Sequence, residues 1–371
     1  MITVCLHERT LPLRRALPTP QGKIHLRRVQ VLVLTDGAGK AGYGEAAPLP
    51  VYGSEDPLSC SEALDTVLPE LPIIAERWLE QDRPTAGLGP LERRLHATPC
   101  ARACIEGALL DLWAKRAGLG LADILQRDAD VPLLRSLPVA GMLIGGGEDS
   151  GAIASELVSR GLRCIHCTVG ADVNTALEQI RELRDWVGER IAIRVDAQGQ
   201  WDRDGAKSFV VRSRDLDLAY LEQPLPPDDL DGLAQLRRQA STPIVIDEGL
   251  RQASDVARIA AREAADAVVI KPTAIGGWRP ASQAARLAHD MDIGILTASF
   301  LDGSIGRAFA SHIAAALGCS DRPQLLATGP LLAQDLTDAP LRAQQGMLSL
   351  SDDPGLGIGT LLPELAANDD A

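Results

Sequence analysis

From about residue 135 onward, short apolar runs alternate with longer stretches in which apolar and charged residues recur at helical spacing. The runs are nearly continuous in apolar residues, which is typical of strands buried on both faces of a parallel sheet. Predicted strands span 137–144, 162–169, 191–195, 218–221, 244–246, 267–270, 293–296 and 324–327. Predicted helices lie between them at 174–186, 229–239, 253–264, 280–289 and 305–317. This alternation indicates an α/β fold, and it fits a (β/α)₈ barrel better than an open sheet.

The first hundred residues have a different pattern. An apolar run at 30–35 ends in a turn at 36–39, and the chain returns through 42–45, which predicts an antiparallel meander. Residues 57–80 and 99–118 are predicted to be helices. We therefore expect an α+β domain over residues 1–130 and the barrel over 131–330. Residues 331–371 are expected to pack back on the first domain.

Four predicted strands end in a charged residue, and these residues are evenly spaced. Asp196, Glu222, Asp247 and Lys271 follow one another at intervals of 26, 25 and 24 residues. Each interval is the length of one β/α unit. The four side chains are therefore expected side by side at the carboxyl-terminal mouth of the barrel, where such folds build active sites.

Three carboxylates that converge repel one another unless a hard cation neutralises them. An oxygen-only ligand set suits Mg²⁺ or Mn²⁺, so Asp196, Glu222 and Asp247 are the predicted metal ligands. The alternative for each acid is a cap on the following helix. Lys271, beside such a metal and away from bulk water, is expected to have a depressed pKa and to act as a base. Its alternative is a salt bridge to one of the acids.

Composition narrows the choice of base further. Of the 37 basic residues only five are lysine, at positions 23, 40, 115, 207 and 271. Lys271 alone is placed at the end of a predicted barrel strand. A lysine-dependent reaction therefore has one candidate residue.

The charge and the cysteines exclude several classes of partner. A formal net charge of −13 argues against nucleic acid, whose phosphates require basic surface. No apolar run approaches the roughly 20 residues of a membrane span, and no secretory signal is visible at the start of the chain. Seven cysteines without a disulfide spacing are typical of reduced thiols, so a cytoplasmic location is expected.

The register of these four residues resembles that of the enolase superfamily. The surrounding residues are similar to its muconate-lactonizing subgroup, and nearest to o-succinylbenzoate synthases, N-succinylamino acid racemases and dipeptide epimerases. The motifs are Val195-Asp196-Ala197, Leu221-Glu222-Gln223-Pro224, Ile246-Asp247-Glu248, Ile270-Lys271-Pro272-Thr273 and, near the start, Gly42-Tyr43-Gly44-Glu45-Ala46-Ala47-Pro48.

This resemblance implies a function. In such enzymes a divalent metal, Mg²⁺ or Mn²⁺, binds the carboxylate of a small-molecule substrate, and the three acids are its ligands. A base removes the proton α to that carboxylate, and the metal stabilises the enediolate. The step leads to dehydration, cycloisomerisation or racemisation, which is lyase or isomerase chemistry. The resemblance also implies that residues 1–130 are a capping domain and that the protein is a homo-oligomer.

The second barrel strand departs from the family pattern. A Lys-x-Lys pair usually ends that strand, and His166-Cys167-Thr168 stands in its place. A threonine hydroxyl is too weak to replace the second lysine as a base. Either His166 is a substitute base, since imidazole titrates near neutral pH, or Lys271 acts alone from the opposite face.

Other candidate residues lie around the mouth. Supporting or substrate-binding roles are expected for Glu248, Gln198, Ser299 and Asp302. Asp302 stands where the family usually has a glutamate, and Gln198 where it usually has an asparagine. The absence of the usual lysine from the second strand also leaves an alternative to an enzyme. In that alternative the chain is a diverged metal-binding barrel that acts as a binding or scaffold protein.

Overall fold

The amino-terminal domain is a three-stranded antiparallel meander packed on helices. This computed structural model describes residues 1–129, 131–145, 147 and 149–362. The strands are β1 (Thr3–Thr19), β2 (Gly22–Thr35) and β3 (Ala41–Ala46), in the order β1-β2-β3. The helices are α1 (Pro57–Val67), α2 (Leu71–Leu79), α3 (Leu91–Arg94), α4 (Pro99–Ala117) and α5 (Leu121–Leu125). The meander and helix α4 agree with the sequence prediction, whereas the long strand β1 was not predicted.

The predicted helix over 57–80 is wrong as a single element. It is divided into α1 and α2, with a break at residues 68–70. Pro69 has no N–H to donate and its ring clashes with the preceding turn, so it ends the first helix. Pro72 lies in the first turn of α2, where its missing N–H costs nothing.

The second part of the chain is a closed parallel barrel. Its strands and helices alternate as β4 (Ser136–Pro138), β5 (Gly141–Ile144), α6 (Ser150–Ser159), β6 (Cys164–Thr168), α7 (Val173–Val187), β7 (Ala192–Asp196), α8 (Arg203–Arg212), β8 (Leu218–Glu222), α9 (Leu230–Gln239), β9 (Ile244–Ile246), α10 (Asp255–Ala261), β10 (Ala267–Ile270), α11 (Pro272–Ile275), α12 (Trp278–Asp290), β11 (Gly294–Thr297) and α13 (Ser304–Ala316). Strands β5 to β11 form one parallel sheet in chain order. The (β/α)₈ prediction is confirmed in its main features.

Two strand predictions need correction. The run 137–144 is two strands: β4 leaves the barrel and pairs with the carboxyl-terminal strand β13 (Met347–Ser349), while β5 enters it. The predicted eighth strand at 324–327 is reduced to parallel bridges at Gln324 and Leu325, which join Val139 on one side and Ala298 on the other. These bridges close the barrel. Both halves of the first run are apolar, so periodicity could not divide them.

The barrel interior is apolar on one side. Tyr220, Val245, Ala267, Val269, Leu296 and Ala298 form a separate buried cluster there. These residues lie at alternate positions on strands β8 to β11 and beyond, as inward-facing layers of a barrel do. The side chains that follow them at the strand ends are Glu222, Asp247 and Lys271, so the same alternation points them to the mouth.

The carboxyl-terminal segment joins both parts. Strands β12 (Ala343–Gln344) and β13 (Met347–Ser349) form a small sheet with β4, and Gly355 pairs with Gly120 beside α5. Residues 363–371 lie outside the described part. The domain boundaries at 130 and 330 stay a prediction. All seven cysteines are free, and the described residues include no helix long and apolar enough to span a membrane.

His312 on α13 joins three parts of the chain in its neutral form. Its Nδ1 accepts the Ala122 N–H at 3.1 Å, and its Nε2 lies 3.1 Å from the Leu356 carbonyl oxygen. A backbone N–H only donates, so Nδ1 must keep its lone pair, and Nε2 carries the proton that it donates. Burial lowers the pKa of His312 to about 4.

We therefore predict that His312 makes stability depend on pH. Its folded pKa lies below its unfolded value, so the unfolded chain binds the extra proton between about pH 6.5 and 4. The stabilisation is complete above that window and is lost as pH falls through it. His312→Gln should flatten the pH dependence of the unfolding free energy by up to about 1.4 kcal/mol per pH unit. Urea unfolding at several pH values measures it.

The exposed His289 on α12 supplies a matched control. His289→Gln should retain the wild-type slope. An unchanged slope in His312→Gln would show that the imidazole does not control acid stability.

Candidate active site

The strand register brings the acidic residues to one end of the barrel. Thr168 pairs with Asp196 and Asp196 with Glu222 across β6, β7 and β8, while Asp247 and Lys271 directly follow β9 and β10. The four charged residues predicted from the spacing therefore lie at the same mouth. The carboxylates are buried: the exposed fraction is 6% for Asp196, 3% for Glu222 and 5% for Asp247.

Lys271 is joined to Asp247 at this mouth. The Lys271 Nζ atom lies 2.5 Å from Asp247 Oδ2, and the lysine side chain is 15% exposed. The rings of Tyr52 and Phe300 each have their centroid 5.5 Å from the same amine, within the range of a cation–π contact. The amine is thus held between an acid and two aromatic walls.

His166 lies deeper, between two acids. Its Nε2 is 3.7 Å from Asp196 Oδ2 and its Nδ1 is 3.8 Å from Glu222 Oε2. Among the described residues, His166, Asp196 and Glu222 form a group whose ligand atoms all lie within 4.8 Å of one another, a geometry that could hold a metal ion. Asp247 is outside this group and faces Lys271.

Buried polar atoms without a hydrogen-bond partner surround the same point. They include His166 Nδ1, Thr168 Oγ1, Asp247 Oδ1 and Glu248 Oε2. Buried polar groups of a folded protein are normally paired, and exceptions call for an explanation such as an absent ion. The donor set and these atoms fit a divalent cation.

A family model covers this region of the chain. The model for the enolase C-terminal domain-like family matches residues 150–361, more than half of the 371 residues. The chain belongs to this family. The resemblance derived from the motifs is confirmed, including the mandelate racemase/muconate lactonizing subgroup.

The relatives of this enolase-superfamily chain are isomerases. The N-succinyl-L-Arg/Lys racemase of Bacillus cereus is 28% identical over 72% of this chain and 71% of its own length. Muconate cycloisomerase 1 of Rhodococcus opacus is 26% identical over 88% and 87%. The solved dipeptide epimerase of Methylococcus capsulatus, complexed with Mg and the dipeptide L-Arg-D-Lys, superposes with a TM-score of 0.83 at 27% identity over 96% and 99%.

Burial and the repulsion between neighbouring carboxylates determine the pKa shifts at the mouth of the barrel. Burial, then the charges of Asp196 and Asp247, raise the pKa of Glu222 well above its usual range. Burial and Asp247 do the same for Glu248. Burial acts to lower the pKa of Lys271, but Asp247 and Glu248 outweigh it and the net pKa is raised. This direction is opposite to the depressed pKa expected from the sequence, because the nearby carboxylates stabilise the ammonium form of Lys271.

Gln198 connects the mouth to the capping domain. Its backbone N–H donates to Asp196 Oδ1 at 2.8 Å, and its Nε2 donates to the Tyr52 hydroxyl at 2.6 Å. The φ of Gln198 is 53°, in the left-handed region. Asparagine, the usual residue of the family at this position, tolerates that region better than most residues do. The sequence did not single out Tyr52 as a site residue, since nothing near it in the chain marks one tyrosine as a barrel contact.

Gln223 was also missed as a site residue. It is fully buried, and its Oε1 accepts the N–H groups of Asp247 at 3.0 Å and Gly249 at 3.2 Å. Its side chain therefore fixes the end of β9 against the end of β8 and positions Asp247. The Gln-Pro that follows Glu222 in the sequence was a usable signal.

Ser299 and Asp302 support the loop after β11. Ser299 Oγ lies 2.6 Å from Thr328 Oγ1. The Asp302 carboxylate accepts the Phe300 N–H at 2.7 Å and the Thr273 hydroxyl at 3.1 Å. Both side chains are buried. These contacts connect them to the barrel wall rather than to the acid group.

We predict that the carboxylates at the mouth reduce the stability of the cation-free protein. Glu222→Gln removes one of several buried like charges while retaining the side-chain shape. It should raise the unfolding free energy in the presence of a chelator by about 1–2 kcal/mol, the usual gain when a strained functional group is removed. Chemical unfolding at neutral pH measures this gain.

The exposed Glu178 on α7 provides the comparison. Glu178→Gln should change stability by less than about 0.5 kcal/mol. A destabilised Glu222→Gln protein would mean that the acid is well satisfied without a cation.

Proposed function

We propose that this chain is a divalent-cation-dependent isomerase or lyase that removes the proton α to a substrate carboxylate. The observation that carries the proposal is the Lys271 amine, held 2.5 Å from Asp247 at the mouth of an acid-lined barrel. Membership in a family whose relatives are racemases, epimerases and cycloisomerases supports it. The substrate would be a small carboxylate such as an acylated amino acid, a dipeptide or a cyclic acid.

The proposed cation ligands are the carboxylates of Asp196, Glu222 and Asp247. Asp247 Oδ1 is buried and has no hydrogen-bond partner, so it is available as a ligand although Lys271 holds the other oxygen. A set of carboxylates suits Mg²⁺ or Mn²⁺, and Mg is bound in the dipeptide epimerase of M. capsulatus. A bound divalent cation would supply Lewis-acid stabilisation of the charge that develops on the substrate carboxylate.

Lys271 is the proposed proton carrier. As the free amine it takes the α-proton onto Nζ, and as the ammonium it returns a proton to the substrate. Asp247 holds the amine in place, and the Tyr52 and Phe300 rings restrict the access of water to it. Gln198 orients Tyr52 through its hydroxyl.

The opposite face lacks an ordinary base. Thr168 is 4% exposed and its hydroxyl has no partner that would deprotonate it. His166 is 2% exposed and faces the protein carboxylates rather than the substrate side of the mouth. We therefore propose one-base chemistry on the Lys271 face, which suits cycloisomerisation or elimination better than racemisation.

Removing the amine tests the proposed base. Lys271→Ala should lower α-proton exchange at least about 100-fold, the lower range for a general base. The assay is deuterium incorporation in D₂O with Mg²⁺ and a panel of N-succinyl amino acids, dipeptides and cyclohexadiene carboxylates, followed by NMR. Lys207→Ala, on the exposed surface of α8, should retain full exchange.

Two results would redirect the proposal. Full exchange in Lys271→Ala would transfer the base role to His166. Absence of exchange in the wild type, with Mg²⁺ and a carboxylate still raising the melting temperature, would favour the binding-protein alternative.

Restoring an amine on the other face tests the one-base proposal. The wild type should introduce deuterium with retention of configuration, because the same lysine removes and returns the proton. Thr168→Lys should give exchange with racemisation on the same compound, because each face then has a donor. Chiral chromatography of the product separates the outcomes. Thr168→Met, similar in length but without an amine, should stay retentive; racemisation by the wild type would contradict the proposal.

A further inference from the structure

His166 occupies an unusual place for a histidine. It lies on β6 and pairs with Arg194 on β7. This pair lies two residues before the pair of Thr168 and Asp196, so His166 and Thr168 point to the same side of the strand, with His166 deeper in the barrel. Its side chain is 2% exposed. From this depth the ring faces the underside of the acid group rather than the open mouth.

The contacts of the imidazole are not hydrogen bonds. The separations of 3.7 Å to Asp196 and 3.8 Å to Glu222 exceed the usual 2.7–3.2 Å range for N–H···O bonds. The Nδ1 atom is buried without any partner. A buried ring nitrogen that lacks a hydrogen-bond partner is costly unless something else satisfies it.

The spacing suits a shared ion. Ligand atoms about 2.1 Å from one ion are separated from each other by roughly 3.0–3.5 Å. One ligand atom each from His166, Asp196 and Glu222 already lies within 4.8 Å of the other two, so these side chains need only move closer to share an ion. Asp247 differs, because Lys271 holds one of its oxygens at 2.5 Å. The His166 imidazole, and not Asp247, therefore belongs to the group of side chains whose ligand atoms lie close enough together to share an ion with Asp196 and Glu222.

We propose that His166 is a ligand of the divalent cation in addition to the carboxylates, closest to Asp196 and Glu222, and that the site therefore prefers a first-row transition ion to Mg²⁺. This inference rests on the proposed function, since it concerns the same cation. Imidazole nitrogen suits Zn²⁺, Co²⁺ and similar ions, whereas Mg²⁺ favours oxygen ligands. His166 is then a ligand and not a base.

Competition between metals tests the preference. Chelator-treated protein is equilibrated with Zn²⁺ and an excess of Mg²⁺, and the bound metal is measured by mass spectrometry. His166→Gln should reduce Zn²⁺ affinity at least about 10-fold more than Mg²⁺ affinity. Mutating a residue that only hydrogen-bonds a metal ligand already lowers metal affinity by about 10-fold or more, and the loss of the ligand itself should cost at least as much. Cys164→Ser, one inward position below on the same strand, should retain the wild-type preference.

Direct ligation has its own signature. Pulsed electron paramagnetic resonance of the Mn²⁺-loaded wild type, with ¹⁵N-labelled histidine, should show one directly coupled nitrogen, and His166→Gln should lose it. An equal loss of affinity for both metals without nitrogen coupling would make His166 a positioning residue and overturn the inference. Folding of each variant is checked by circular dichroism.

The two levels of proposal fail differently. If Glu222→Gln abolishes cation binding while His166→Gln changes neither preference nor coupling, the cation-dependent function stands and the histidine ligand is excluded. If the wild type binds no divalent ion at all, the proposed function fails first.

Discussion

The concentration of buried negative charge at the barrel mouth is the constraint on which the rest depends. Asp196, Glu222, Asp247 and Glu248 lie within a region where each is less than a tenth exposed. Burial and mutual repulsion raise the pKa of the last three of these acids. The site is therefore costly to the folded protein and must be held by structure elsewhere.

Several contacts around the mouth supply that rigidity. Gln223 fixes the end of β9 by accepting two backbone N–H groups. On the capping side, Glu45 accepts the N–H groups of Gly303 at 2.6 Å and Gly306 at 2.8 Å at the start of α13. Arg27 donates to the Pro48 and Leu301 carbonyl oxygens at 3.1 and 3.2 Å. The capping domain thus contributes both Tyr52 beside Lys271 and the bonds that keep it there.

Much of the fold was predictable because its signals are local. Strands β9 and β10 coincide with their predicted ranges, and helix α4 ends where the glycine after it predicts. Errors arose where local signals compete. Two prolines divide the predicted helix at 57–80, and two sheets share the apolar run at 137–144. The closure of the barrel at Gln324 depends on side-chain hydrogen bonds to Thr297, which no periodicity reveals.

The sequence by itself determined the barrel, the order of acids and lysine at its mouth and the absence of a lysine at the end of the second strand. These features follow from spacing along the chain, since each β/α unit returns the next strand end to the same edge. The tertiary structure decided which side chains meet there. His166 lies between Asp196 and Glu222, Asp247 faces Lys271, and Tyr52 reaches Gln198 across 146 residues. Such pairings depend on ring orientation and on the packing of distant segments, and neither is encoded in local spacing.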